Sequence, residues 1–205
     1  MSVSQKIIGD VELVTTSNPH DAAQFMVRNP QDILKLPAAQ QAKFNKAYNA
    51  IETICDPEIP VLTIMDLGVF RALSFGANGD LTVSITPTYS GCPAMSMIAF
   101  DVELALRGVG FKQVRVLLCL SPAWTTDWMT ETGKQKLVNY GIAAPIGKST
   151  ELKTGRAALF GITRVKCPQC TSAKTEKVAE FGSTACKALY RCKSCLEPFD
   201  YFKCI

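Results

Sequence analysis

Four cysteines near the end of the chain have the spacing that brings thiolates to a single ion: Cys167-Pro-Gln-Cys170 and Cys192-Lys-Ser-Cys195, with 21 residues between the pairs. Each Cys-x-x-Cys pair forms a tight knuckle, and an intervening segment of this length can return as a hairpin, so four sulfurs can surround a tetrahedral cation. Zinc is the first candidate and iron the second. A site closed by four protein ligands has no open coordination position, so its expected role is to fold a short module rather than to catalyse. Cys186 and Cys204 lie close enough in sequence to complete a different set of four.

Cys92 is a thiol of another kind. It directly precedes Pro93 where a helix is predicted to start, and unsatisfied N–H groups together with the helix dipole favour a thiolate there. Such a residue suits a nucleophile or a transient metal ligand; equally, a small buried cysteine can simply fill the top of a helix. Asp56, Glu58 and Asp66 flank a neighbouring loop and could hold a hard cation or poise a proton. The same carboxylates before Pro or in Asp-Leu-Gly also serve as turn acceptors. Cys55 and Cys119 read as structural. Trp124 and Trp128 read as packing residues, with a partner surface as the alternative.

What is missing narrows the chemistry. The only histidine is His20, so neither a di-iron site built from two Glu-x-x-His pairs nor a Rieske centre can be assembled from this sequence. No Gly-rich dinucleotide or phosphate loop is present. The net charge of +4 sits in residues 161–205, which hold eight Lys/Arg and four Asp/Glu. Four thiolates with a divalent cation subtract two charges and leave about +2, weak for phosphate-driven binding, so nucleic acid is a poor fit as partner. No apolar run is long enough for a signal peptide or a membrane span, and paired cysteine spacing without a leader favours a reducing, cytoplasmic setting.

The elements that must position these residues follow from periodicity. Phe44, Ala47, Tyr48, Ile51 and Ile54 lie on one helical face. Val69 to Phe75 and Leu81 to Thr86 alternate as strands about a Gly76–Asp80 hairpin. A helix then runs to Arg107 with Pro93 in its first turn and Gly108 beyond its end, followed by a strand from Phe111 to Leu120 and a helix closed by Gly141. The predicted fold is α/β: a small mixed sheet with packed helices, plus a C-terminal zinc-ribbon-like module. Residues 1–40 read as a partly disordered extension with a short helix over Asp21–Val27, residues 41–145 as the α/β domain, 146–164 as a linker with a strand at Ala157–Ile162, and 165–205 as the Cys-rich module.

Two strings, Asp56-Pro-Glu-Ile-Pro-Val-Leu-Thr-Ile-Met-Asp-Leu-Gly68 and Thr86-Pro-Thr-Tyr-Ser-Gly-Cys-Pro-Ala94, resemble the metal–sulfur cluster assembly family that includes SufT. Pro122–Met129, Phe181–Cys192 and Glu197–Ile205 resemble the PaaD (PaaJ) family of phenylacetate degradation. The likeness runs from about Lys46 to the end. It implies an accessory, non-catalytic protein of a bacterial 1,2-phenylacetyl-CoA epoxidase, a ring-epoxidising multicomponent monooxygenase. The implied role is to aid iron or iron–sulfur cluster insertion into a partner, with the iron–sulfur reductase subunit as the client; the alternative is a structural subunit of the complex. The resemblance makes Cys92 the cluster-handling candidate, with Asp56, Glu58 and Asp66 shaping its loop.

Overall fold

In the computed structural model, residues 25–146 and 165–203 are described, together with two N-terminal strands, β1 (Gln5–Lys6) and β2 (Val11–Val14). The chain divides into two compact units, Met1–Trp124 and Thr125–Ile205.

The first unit holds a six-stranded mixed sheet. To β1 and β2 it adds β3 (Phe25–Val27), β4 (Phe70–Phe75), β5 (Leu81–Ile85) and β6 (Val114–Cys119), in the order β1-β2-β6-β5-β4-β3. β6 runs parallel to both β2 and β5, and the remaining pairs are antiparallel. Its helices are α1 (Pro30–Leu34), α2 (Ala38–Ile51) and α3 (Ala94–Gly108). Phe44, Ala47, Tyr48 and Ile51 of α2 are buried at helical spacing. Phe44 meets Phe75 edge-on at 4.8 Å between ring centres, and Tyr48 meets Phe70 at 5.8 Å. The core face of α3 is Ala94, Met95, Ile98, Ala99, Val102 and Leu106, a repeat wide enough to bury one side of a helix. This confirms the predicted α/β class.

Two local expectations are corrected. Of the helix expected over Asp21–Val27, the described part, Phe25–Val27, is instead a strand that pairs with β4, Val27 opposite Leu73, because an open sheet edge satisfies these backbone groups and apolar residues such as Phe and Val suit a strand; residues 21–24 lie outside the described residues. The helix nearby starts later, where the Asn29 side chain accepts from the Asp32 N–H and Pro30 occupies the first turn. Residues 1–40, read as an extension, thus supply β1, β2 and β3; strands of two to four residues are too short to leave a readable period.

Gly108, expected beyond the end of α3, is its last residue, and Pro93 is the N-cap. The stop is Gly110, at φ +95, where the Gly110 N–H reaches Arg107 O at 2.9 Å and the Phe111 N–H reaches Leu106 O at 3.1 Å. A left-handed residue here satisfies the final carbonyls of the helix.

The second unit carries a 3-10 turn (Thr126–Trp128), α4 (Glu131–Asn139) and an antiparallel sheet of β7 (Thr175–Ala179), β8 (Lys187–Cys192) and β9 (Pro198–Phe202). Gly141, at φ +92, ends α4 as predicted. Ala143 then bridges Tyr201 and joins a small core with Val165, Tyr190, Phe199 and Tyr201. The segment from Thr125 to Ile146 therefore clusters with the ribbon, although the division was expected at 146–164; the bridge to β9, invisible in local sequence, is the reason. The strand expected at Ala157–Ile162 lies outside the described residues.

The two glycines at the end of α3 should respond oppositely to alanine. A Cβ at Gly108 meets nothing within 4 Å, so Gly108→Ala is expected to stabilise by about 0.5–1 kcal/mol through helix propensity. Gly110→Ala should cost about 1–2 kcal/mol because its left-handed φ is unfavourable for an L side chain. Urea unfolding of both variants measures the difference.

Candidate functional site

The strand directions bring three loops to one end of the six-stranded sheet. β5 and β6 are parallel and finish there, at Ile85 and Cys119, while antiparallel β4 begins there at Phe70. Residues 52–69, 86–93 and 120–124 consequently share the carboxyl edge of the parallel pair, the usual position of a site in an open sheet containing parallel strands. The backbone and side chains tie the loops down. Trp124 is buried and its indole N–H donates to Leu67 O at 2.9 Å. The Thr86 hydroxyl donates to Cys119 O at 2.7 Å, and the Thr86 N–H to Val69 O at 2.9 Å.

Asp56, Glu58, Asp66 and Cys92 all lie on these loops. Asp56 is buried, and its Oδ1 accepts from the N–H groups of Glu58 (2.8 Å) and Ile59 (2.9 Å), a turn closed by the side chain. Asp66, also buried, accepts from the Thr63 N–H at 3.1 Å while the Thr63 hydroxyl accepts from the Asp66 N–H at 3.1 Å. The two aspartates are thereby braces of the loop. Cys92 is half-buried; its N–H donates to Tyr89 O at 3.1 Å and its carbonyl accepts from the Met95 N–H at 3.4 Å. The N-cap, Pro93, makes no side-chain cap bond, and the positive end of α3 faces the Cys92 segment. Cys119 differs: burial pushes its thiol up, with the Ser84 hydrogen bond and the Arg71 charge acting the other way.

Among the described residues, one group of three or more potential ligands comes within metal-sharing distance: Cys167, Cys170, Cys192 and Cys195, whose Sγ atoms all lie within 4.8 Å of one another. Asp56, Glu58, Asp66 and Cys92 therefore share an edge of the sheet without forming a ready-made metal cage. In the Cys-rich set, Cys167 and Cys195 are 3.7 Å apart and Cys170 and Cys192 3.5 Å. Ligand bonds of about 2.3 Å in a tetrahedron place sulfurs about 3.8 Å apart, so the thiols fit zinc. Cys186 is buried against the Thr184 hydroxyl at 2.9 Å, at the start of β8, and Cys192 at its end. This separation keeps Cys186 out of the set; Cys204 lies outside the described residues.

Backbone geometry shapes both knuckles alike. The residue after each second cysteine has a left-handed backbone, Thr171 at φ +60 and Leu196 at φ +66. The hydroxyls of Ser172 and Ser194 meet at 2.8 Å across the pair. N–H groups of Cys195 and Ser194 point at Cys192 Sγ, and against the opposing effect of burial they, together with hydrogen bonds from the Cys170 and Cys195 thiols, hold the Cys192 thiol down to about 6. For Cys195 the Glu197 N–H lowers the value, but burial and the thiols of Cys170, Cys192 and Cys167 outweigh it and push the group up to about 12. Within the second knuckle the geometry thus favours the thiolate on Cys192 over Cys195. The left-handed residues were not legible as such, because glycine, which would have signalled them, is absent from both positions.

The comparisons agree with this division. Residues 153–203 match the family described as the PaaD zinc beta ribbon domain, and residues 45–118 match the family described as iron-sulfur cluster assembly protein. A protein of Escherichia coli (strain K12), provisionally described as one of the subunits of a 1,2-phenylacetyl-CoA epoxidase, is 48% identical over 161 residues, covering 78% of this chain and 93% of its own. A Porphyromonas gingivalis protein described as an Fe-S protein maturation auxiliary factor is 39% identical, over 42% of this chain and 83% of its own. A solved domain of unknown function from Bacillus anthracis is 28% identical, covers 48% of this chain and 94% of its own, and superposes with a TM-score of 0.44. The four-cysteine cluster and the ribbon match together support metal binding by the second unit, with zinc the best fit.

Zinc loading at pH 7 should release protons, the Cys195 thiol, pushed up to about 12, among their sources, whereas the Cys192 thiol, at about 6, is already ionised. Acidification through pH 6 protonates that thiolate and should weaken zinc further. Calorimetric titration in buffers of different ionisation enthalpy counts the protons, and chelator competition between pH 7.5 and 5 gives the affinity. Cys192→Ser should lose stoichiometric zinc, measured by metal analysis, while the first unit keeps its unfolding transition.

Proposed function

The chain belongs to the PaaD family of phenylacetyl-CoA epoxidase proteins, and from that membership we propose that it is a cytoplasmic, non-catalytic maturation factor of that epoxidase system. In this reading Cys92 engages iron or an iron–sulfur cluster as cargo and passes it to a partner, of which the iron–sulfur reductase subunit is the client. The observation that carries the proposal is the half-buried thiol at the head of α3, on the carboxyl edge of the sheet and inside the region matched to cluster assembly proteins. Relatives described as Fe-S protein maturation auxiliary factors support it.

Each residue has a chemical part. Cys92 supplies one soft ligand, and the helix behind it favours the thiolate that binds iron. Asp56 and Asp66 hold the facing loop through backbone N–H groups, and Glu58 shapes the same loop. Cys167, Cys170, Cys192 and Cys195 bind a structural zinc in a ribbon that docks a partner. With His20 as the one histidine, the chain itself lacks the ligands of a di-iron oxygenase.

Cys92→Ser should leave the unfolding midpoint close to wild type, while the reductase made in the same cells carries less than half its normal iron–sulfur content. Full cluster content with Cys92→Ser overturns the assignment. The description of the E. coli relative as part of an epoxidase favours a second reading, stable membership of the complex. If protein added after purification of its partners restores full turnover at fixed stoichiometry with no metal source, that second reading is correct.

A further inference from the structure

The outer face of α3 carries an apolar stripe that the fold leaves unused. Met97, Phe100 and Leu104 are 53%, 58% and 59% exposed, and their i, i+3, i+7 spacing places them on one side of the helix, opposite the stripe that enters the core. The stripe begins one turn from Cys92. We infer that it is the docking seam for the polypeptide that receives cargo from Cys92, and that the occupant presents an apolar face with a Lys or Arg beside it; this inference rests on the maturation reading above.

Charge and area both point to such an occupant. Asp101 lies four residues after Met97 and three before Leu104, on the same side of the helix. Glu103 pairs with Arg107 at 2.6 Å, but no cation among the described residues pairs with Asp101. A carboxylate on the flank of an apolar stripe, with no paired cation among the described residues, favours a basic group on the facing surface and disfavours an acidic one. A second copy of this chain is disfavoured for the same reason. Antiparallel self-packing would put Met97 over Leu104, with the two-fold axis between Phe100 and Asp101, and the two Asp101 carboxylates would then approach each other on the same flank. The three side chains offer roughly 300 Å² of exposed surface, so a contact made through them buries about 600 Å² in total, below the 1,200 Å² or so of stable complexes and in the range of transient ones. A contact that forms and dissolves is what delivery requires.

The test uses the full-length protein and the purified, cluster-free reductase subunit as probe. Phe100→Glu and Leu104→Glu are expected to weaken binding at least tenfold with unchanged unfolding midpoints, since both side chains lie outside the core. Asp101→Lys should also weaken it, most strongly at low salt, because the attraction it removes is screened by ions. Cys92→Ser should bind as wild type does. Wild-type affinity in Phe100→Glu and Leu104→Glu overturns the seam, as does sedimentation of the wild type as a dimer that Phe100→Glu dissociates. Cluster content of the reductase made in cells separates the two ideas. Loss with Cys92→Ser but not with Phe100→Glu sinks the seam alone. Loss with Phe100→Glu but not with Cys92→Ser sinks the role of Cys92 and keeps the seam.

Discussion

The parallel pairing of β5 with β6, closed over by α3, is the constraint from which the candidate site follows. A parallel pair cannot be joined by a tight turn, so the chain must leave Ile85, cross the sheet and return at Val114. The crossover is α3, and its head falls at the carboxyl end of β5. Cys92 is there because the crossover has to begin there. β4, antiparallel to β5, brings the Asp56–Gly68 loop to the same edge from the other direction. Trp124 then ties that loop to the segment after β6 through one buried N–H bond. Breaking the register between β5 and β6 would separate all three loops at once.

A different constraint governs the second unit. Its apolar core is small, built around Tyr190, Phe199 and Tyr201 with contributions from Val165 and Ala143, and a module of this size gains much of its stability from a bound ion. Cys167 and Cys192 belong to that core as well as to the thiol set, so metal and hydrophobic packing act on the same residues. Left-handed backbones at Thr171 and Leu196 carry a cost that glycine would avoid. Chelation offsets it by fixing both knuckles. Lys187, buried beside Asp200 at 3.9 Å, with Ser183 also donating to Asp200 at 3.1 Å, closes the opposite end of the sheet.

The sequence was readable where a residue type has few physical uses. Cys-x-x-Cys pairs have few, and all four cysteines converge as their spacing indicates. Helical apolar faces on α2 and α3 were readable for the same reason. The brace role of Asp56 and Asp66 was one of two readings that composition could not separate, because a turn acceptor and a cation ligand use the same oxygen. Strand β3 was unreadable: three residues carry no period, and what selects their conformation is the open edge of β4, a partner more than forty residues away. The bridge between Ala143 and Tyr201 was hidden by the same kind of distance.

Thiols in three environments within one short chain suggest how the proposed transfer avoids competing with itself. Cys119 is removed from metal chemistry by burial, which disfavours its thiolate. Four convergent sulfurs in the ribbon would bind either zinc or iron, since both accept tetrahedral thiolate sites. Held by four ligands, an ion leaves slowly, and iron in that position would be stored rather than delivered. Zinc there would keep the set filled and redox-inert. In the proposed reading Cys92, which belongs to the first unit, would hold iron through one thiolate, weakly enough for a recipient with more ligands to take it. Weak holding by the donor and stronger chelation by the recipient give the transfer its direction, without any energy source in the chain itself.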